Sequence, residues 1–200
     1  MVLRGLFLKG ISLPPPDTFP FEVPGAIVPR MKLRRAVLSF ALFSLSLVAT
    51  AADNGREAAP RFNAKTMSGE AFNNSSLKGK VVLLQFWATW CPYCRAEQQI
   101  VDNLQKEFAD KGLIVLAVDV AESKKKVKQY LQENPRTVRI VLNEDTNLAA
   151  MYQAVKYPIY VVIDREGNIA GQQNGAAGEA ALRRMLSRAG LESQDKAESE

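Results

Sequence analysis

Apolar and polar positions change period several times along the chain, and each change marks an element. Val81 to Trp87 (VVLLQFW) is a continuous apolar run of strand length, and Leu113 to Val120 (LIVLAVDV) is a second. Such runs suit strands buried on both faces. Between them, from Pro92 to Asp110, the period becomes helical: Ile100, Val101, Leu104 and Phe108 fall on one stripe, and Lys111-Gly112 ends it. Ser123 to Asn134 predicts a lysine-rich helix with Val127, Tyr130 and Leu131 facing inward, stopped by Asn134-Pro135. Its Lys124-Lys125-Lys126 run reads as a solvated face. Val138 to Leu142 predicts a short strand and Thr146 to Gln153 a short helix. Pro158 to Ile163 predicts a strand that turns at Asp164-Arg-Glu-Gly167 and returns over Asn168 to Gln173. Gly178 to Ala189 completes the series as a helix with Leu182, Met185 and Leu186 inward. Upstream, short apolar positions around Ser68-Gly69-Glu70 predict a hairpin between Arg61 and Lys80. Alternating strands and helices, closed by a hairpin and a helix, imply an α/β sandwich around a mixed central sheet.

The front of the chain has a different character. Met31-Lys-Leu-Arg-Arg35 is a basic segment, Ala36 to Ala49 is a 14-residue apolar run, and Ala49-Thr50-Ala51 fits a small-x-small cleavage site. Together, residues 31–51 have the three parts of a secretory signal in order. The apolar run is short against the roughly 20 residues of a transmembrane helix, so a cleaved signal is the expectation and an uncleaved anchor the alternative. A secretory signal starts at the N-terminus, which makes Met31 the expected start and residues 1–30 a non-native extension. Residues 52–60 read as a linker, 61–191 as one folded domain, and 192–200 as a charged, frayed tail.

Charge adds little to this picture. The net +5 arises mostly in residues 1–51, which hold six basic and two acidic side chains; twenty basic against nineteen acidic remain beyond them. The domain is nearly neutral, so a nucleic-acid partner is not expected. The chain has no histidine, which excludes His-based triads and His metal sites.

Chemistry concentrates in Trp87-Ala-Thr-Trp-Cys-Pro-Tyr-Cys94, which holds the only two cysteines, three positions apart. A structural disulfide acts mainly by closing a long loop, and a bridge across two residues restrains the unfolded chain very little. A structural zinc site normally takes four ligands, and this chain offers two thiols. A redox-active Cys91–Cys94 pair is the expected reading, with no other cofactor and no metal; a metal cluster shared between subunits is the alternative. Pro92 suits the first turn of a helix, which puts Cys91 at its N-cap beside unpaired backbone N–H groups that stabilise a thiolate. Arg95 either adds positive charge to this site or is a solvated surface residue. Cys94, one turn in, is less accessible and suited to resolving a mixed disulfide. Glu97 shares a helical stripe with Cys94, Val101, Leu104 and Phe108, so a carboxyl lies one turn below Cys94, placed to pass protons to and from it.

The segment Gly79-Lys-Val-Val-Leu-Leu-Gln-Phe-Trp-Ala-Thr-Trp-Cys-Pro-Tyr-Cys-Arg-Ala-Glu97 resembles the extracytoplasmic thioredoxin-like proteins of the TlpA/ResA type, over about Pro60 to Leu191. The resemblance implies a thioredoxin fold with an N-terminal β-hairpin and a central βα insertion. It implies thiol–disulfide oxidoreductase activity, often linked to cytochrome c maturation, in the periplasm or another extracytoplasmic compartment. It assigns attack to Cys91, resolution to Cys94 and the active-site carboxylate to Glu97. Tyr157-Pro158 matches the family's cis-proline dipeptide, which helps hold substrate backbone. Trp90, Pro92, Tyr93 and Tyr157 would shape a docking surface, with Trp87 either part of it or a purely core residue.

There are departures from the pattern. Gln85 stands where thioredoxins proper carry a buried aspartate, which shifts weight onto Glu97. Gln99 replaces a proline that often follows the family glutamate, so a less kinked helix is expected. Pro92-Tyr93 is the glutaredoxin-type dipeptide, and proline also occupies this position in strong oxidants such as DsbA. Implied partners are protein thiols and disulfides such as apocytochrome c, and a membrane or periplasmic redox partner that regenerates the dithiol. The reducing direction is the primary expectation; an envelope oxidant is the alternative. A peroxiredoxin-like peroxidase would call for Pro at 84 and Thr at 88, where the chain has Leu84 and Ala88. A thiol-based metallochaperone is the non-enzymatic rival.

Overall fold

The structure, a computed structural model, describes residues 55–192. The expected signal at 31–51, the expected extension at 1–30, residues 52–54 and residues 193–200 lie outside the described residues. In chain order, a hairpin of β1 (Asn63–Thr66) and β2 (Ala71–Asn73) leads into β3 (Val81–Trp87). Helices α1 (Pro92–Ala96) and α2 (Gln98–Phe108) follow, then β4 (Leu113–Asp119), α3 (Lys124–Glu133), β5 (Arg139–Thr146) and α4 (Leu148–Met151). A second hairpin, β6 (Ile159–Ile163) and β7 (Ile169–Asn174), precedes α5 (Gly178–Arg188).

All seven strands form one sheet in the order β2-β1-β5-β4-β3-β6-β7. β3 runs parallel to β4 and antiparallel to β6, and β4 runs parallel to β5. Strands β4, β3, β6 and β7 with α1/α2 and α5 make the thioredoxin core. The central insertion falls within the α3–β5–α4 segment between β4 and β6, and β1–β2 is the added hairpin. This is the α/β sandwich that the pattern predicts and the thioredoxin fold that the resemblance implies.

β3 explains why the site sits where it does. Its neighbours on both sides and cover on both faces leave every residue buried. Val81, Leu83 and Trp87 join a core with Val101, Leu104 and Phe108 of α2, Val127 of α3, and Leu182, Met185 and Leu186 of α5. Val82, Leu84 and Phe86 point the other way, onto Phe62, Leu77, Leu148 and Tyr152. The two faces follow the period of two along the strand. The carboxyl end of β3 therefore delivers the cysteine loop from a fixed base, at the end of the sheet where open α/β folds place their sites.

Two differences from the sequence reading, and one choice it leaves open, are informative. Residues 56–60 of the linker are packed: Ala58 bridges Asn168, the Ala59 N–H donates to the Gly167 carbonyl at 2.9 Å, and Arg56 pairs with Asp164 at 3.0 Å. Trp87 is fully buried, under the Tyr130 ring and the Arg136 guanidinium, so it belongs to the core and not to a docking surface. The helix expected over Pro92–Asp110 is interrupted at Glu97, whose φ and ψ are −98° and 0°. No proline causes the break, since Gln99 holds that place. The Glu97 side chain is drawn out of the helix toward β6 and the start of α5.

Candidate active site

Cys91 is the N-cap residue of α1, with extended backbone, and Pro92 opens the helix. Its Sγ accepts the Cys94 N–H at 3.1 Å, so one orphan donor of the first turn is spent on sulfur. The two cysteines are joined as a disulfide with Cα atoms 5.2 Å apart. Cys91 is 3% exposed and Cys94 0%, so attack from outside can reach only the first. A thiolate formed at Cys91 keeps the backbone donor, which is the arrangement that makes a cysteine a good nucleophile and leaving group.

Around this pair the surface is apolar. Trp90 is 57% and Tyr93 66% exposed, and the Trp90 ring meets the Tyr157 ring edge-on with centroids 6.1 Å apart. Tyr157 donates its hydroxyl to the Ala154 carbonyl and precedes a cis peptide bond to Pro158, which is buried. Thus the loop before Cys91 and the loop before β6 meet at Trp90 and Tyr157. Arg95 lies exposed on the outer side of α1.

Glu97 is 6% exposed and its carboxylate collects three donors. The Tyr160 hydroxyl reaches Oε2 at 2.7 Å, the Ala177 N–H reaches Oε2 at 3.2 Å, and the Gly178 N–H closes on Oε1. The last two are free amides at the N-terminal end of α5, where a negative charge is favoured. Burial first and the Glu97 carboxylate second raise the Tyr160 phenol far above its ordinary value, so it remains a donor at any working pH.

Tyr160 continues into a buried polar chain that the sequence reading does not contain. Gln85, opposite Tyr160 in the β3–β6 register, donates its Nε2–H to the Tyr160 oxygen at 3.3 Å. The Gln85 Oε1 accepts Arg136 Nη2–H at 3.1 Å, and Arg136 Nε–H donates to Asp102 Oδ2 at 2.7 Å. Arg136 is 1% exposed at its side chain, and its Nη1 has no partner among the described residues. The place of the thioredoxin aspartate is therefore filled by an amide that links a cation to the Tyr160–Glu97 pair. A signal for this existed in the sequence: Gln85 and Tyr160 are the polar atoms inside two otherwise apolar strands.

Among the described residues, no group of three or more Cys, Asp or Glu side chains is placed to hold a metal ion.

Comparison with known proteins agrees with this geometry. The AhpC/TSA family pattern matches residues 56–172. The thioredoxin-like protein YneN of Bacillus subtilis is 40% identical over 114 residues, covering 56% of this chain and 66% of that protein. The thiol-disulfide oxidoreductase ResA of the same organism is 32% identical over 124 residues, covering 62% and 69%. The chain thus spans about two thirds of the length of these relatives. A thiol:disulfide interchange protein of the thioredoxin family from Chlorobium tepidum superposes with a TM-score of 0.59 at 30% identity, over 67% of this chain and 96% of that one. With a disulfide at the head of α1 on a thioredoxin scaffold, the chain belongs to the AhpC/TSA family and is a thioredoxin-fold thiol–disulfide oxidoreductase related to the ResA- and DsbE-type proteins.

Proposed function

We propose that the protein reduces disulfides of protein substrates in an extracytoplasmic compartment, with apocytochrome c as the substrate type that kinship with ResA-type proteins suggests. The observation that carries this reading is the Cys91–Cys94 disulfide, with Cys91 capped by the Cys94 N–H and flanked by exposed Trp90 and Tyr93. In the reduced protein the Cys91 thiolate attacks one sulfur of a substrate disulfide and releases the other as a thiolate. Cys94 loses its proton, attacks Cys91 within the mixed disulfide, and frees the second substrate thiol. The protein is left oxidised, and an envelope dithiol donor must restore it. A carboxylate has about four acceptor sites; three on Glu97 are engaged, and the fourth takes the Cys94 proton. Trp90, Tyr93, Tyr157 and Pro158 form the face on which substrate chain docks. Kinship with the ResA-type proteins supports the extracytoplasmic location, and the signal at 31–51 would deliver the domain there.

The test replaces Cys94 with Ser in the full chain and expresses it in a bacterial envelope. Mixed disulfides through Cys91 should accumulate, and a Cys91→Ser partner variant should trap none. Absence of adducts, with metal co-purifying stoichiometrically, would sink the exchange reading. Direction follows from the reduction potential: a value near thioredoxin's, about −270 mV, supports a reductant, and one near about −120 mV an oxidant.

A further inference from the structure

The second group of buried acids lies on the other side of the cysteine loop. Asp119 ends β4, pairs in register with Trp87, and is fully buried. Its Oδ1 accepts the Glu122 N–H at 3.0 Å, while its Oδ2 has no donor among the described residues. The Glu122 side chain, 2% exposed, turns back over the loop. It accepts both donors of Thr89: Oγ1–H reaches Oε1 at 2.7 Å, and the backbone N–H reaches Oε2. Thr89 stands two residues before Cys91. Two carboxyl groups therefore face each other under the loop, and one of them holds that loop by its backbone.

We propose that Asp119 is a positioning residue: it keeps a proton that its carboxyl shares with Glu122, and this proton holds Glu122 clamped on Thr89 beneath Cys91. An ionised pair would set two carboxylates together in a buried place, with no donor for Asp119 Oδ2. A proton between them supplies the missing hydrogen bond and leaves one charge, which the Lys126 ammonium meets at 2.7 Å. The groups facing Asp119 are few. Glu122, backed by Lys126 of α3, comes from the loop between β4 and α3; Tyr157 comes from the loop before β6; Trp87 and Leu142 beside it in the sheet are uncharged. Burial first, then Glu122, pushes Asp119 up to about 7. Burial opposes the Glu122 charge, yet Lys126 and the two Thr89 donors outweigh it and hold Glu122 below its ordinary value. Tyr157 is raised by burial and then by Asp119, so the same carboxyl is felt on both loops of the site.

The proposal rests on the exchange reading only for its consequence, and its first test needs no substrate. In the oxidised wild-type protein, carboxyl 13C and amide 1H NMR should show Asp119, Glu122 and the Thr89 N–H moving together with a midpoint near 7. An Asp119 that titrates alone in the ordinary range, about 3.9, would overturn the shared proton. In Asp119→Asn, whose amide donates as the protonated acid does, the Thr89 N–H should stay fixed across that range. The rate of disulfide exchange against pH should then lose one inflection while its value below pH 7 stays within twofold of wild type. Asp119→Ala should lose that rate at every pH, and Asn should rescue it. A Thr89 signal and a rate profile in Asp119→Asn that superpose on wild type would refute positioning, whatever the substrate proves to be.

Discussion

Glu97→Ala tests whether the carboxylate is a structural tie as well as a reacting group. The wild-type side chain joins three elements: the α1–α2 break, Tyr160 of β6, and the amides of Ala177 and Gly178. Truncation leaves a fully buried Tyr160 hydroxyl and two part-buried N–H groups without an acceptor. A hydrogen bond to a charged group is worth about 1.5–3 kcal/mol, and an orphaned buried donor costs about 1–3 kcal/mol. The losses overlap, and water can reach the two amides, so about 3–5 kcal/mol is expected, a large part of a typical total of about 5–15 kcal/mol. Glu97→Gln keeps one acceptor oxygen but points an amide NH₂ at a donor, and should cost about 1–3 kcal/mol. Urea unfolding of the oxidised proteins, followed by tryptophan fluorescence, reads both. With an m value of about 2 kcal/mol/M, Glu97→Ala should move the midpoint down by about 2 M at unchanged slope. A shift under about 0.3 M, or a larger loss in Gln than in Ala, would refute the three-donor account.

Other consequences follow from the buried charges. Burial first, then Glu122, holds the folded Asp119 carboxyl up at about 7, above the ordinary aspartate value of about 3.9. Between those values the folded state keeps a proton that the unfolded chain releases, so this group's contribution to stability falls as pH rises, by at most about 1.4 kcal/mol per unit. Asp119→Asn should flatten that decline in denaturation series between pH 4 and 7; parallel curves would contradict it. Asp102→Ala should cost about 3–5 kcal/mol by stranding the Arg136 cation in the core. Adding Arg136→Met should recover part of it, as thermal melts of the single and double variants would show; no recovery would mean the pair is not the cause.

Much of this was legible because it is local. The apolar runs Val81–Trp87 and Ile159–Ile163 have nothing polar to leave exposed except Gln85 and Tyr160, and central strands are what such runs form. Pro92 after Cys91 writes the helix start into adjacent residues. The interruption at Glu97 was not legible, because its cause is 80 residues away at Ala177 and Gly178. Asp102, Arg136 and Gln85 meet across separations of 34 and 51 residues, so no spacing announces them. Asp119 reads as the polar end of a strand; only the return of Glu122 onto Thr89 reveals a pair. Residues 57–59 lack any strand pattern and pack only because Gly167 and Ile169 offer backbone partners.

The central claim is that Cys91 attacks and Cys94 resolves, and competitive alkylation measures it directly. The fully reduced protein is treated at pH 7 with iodoacetamide in less than one equivalent, and the peptides holding each cysteine are quantified by mass spectrometry. Cys91, with the outer sulfur and the Cys94 N–H as donor, should carry nearly all of the label, while Cys94 is shielded. Equal labelling, or Cys94 labelled first, would contradict the account.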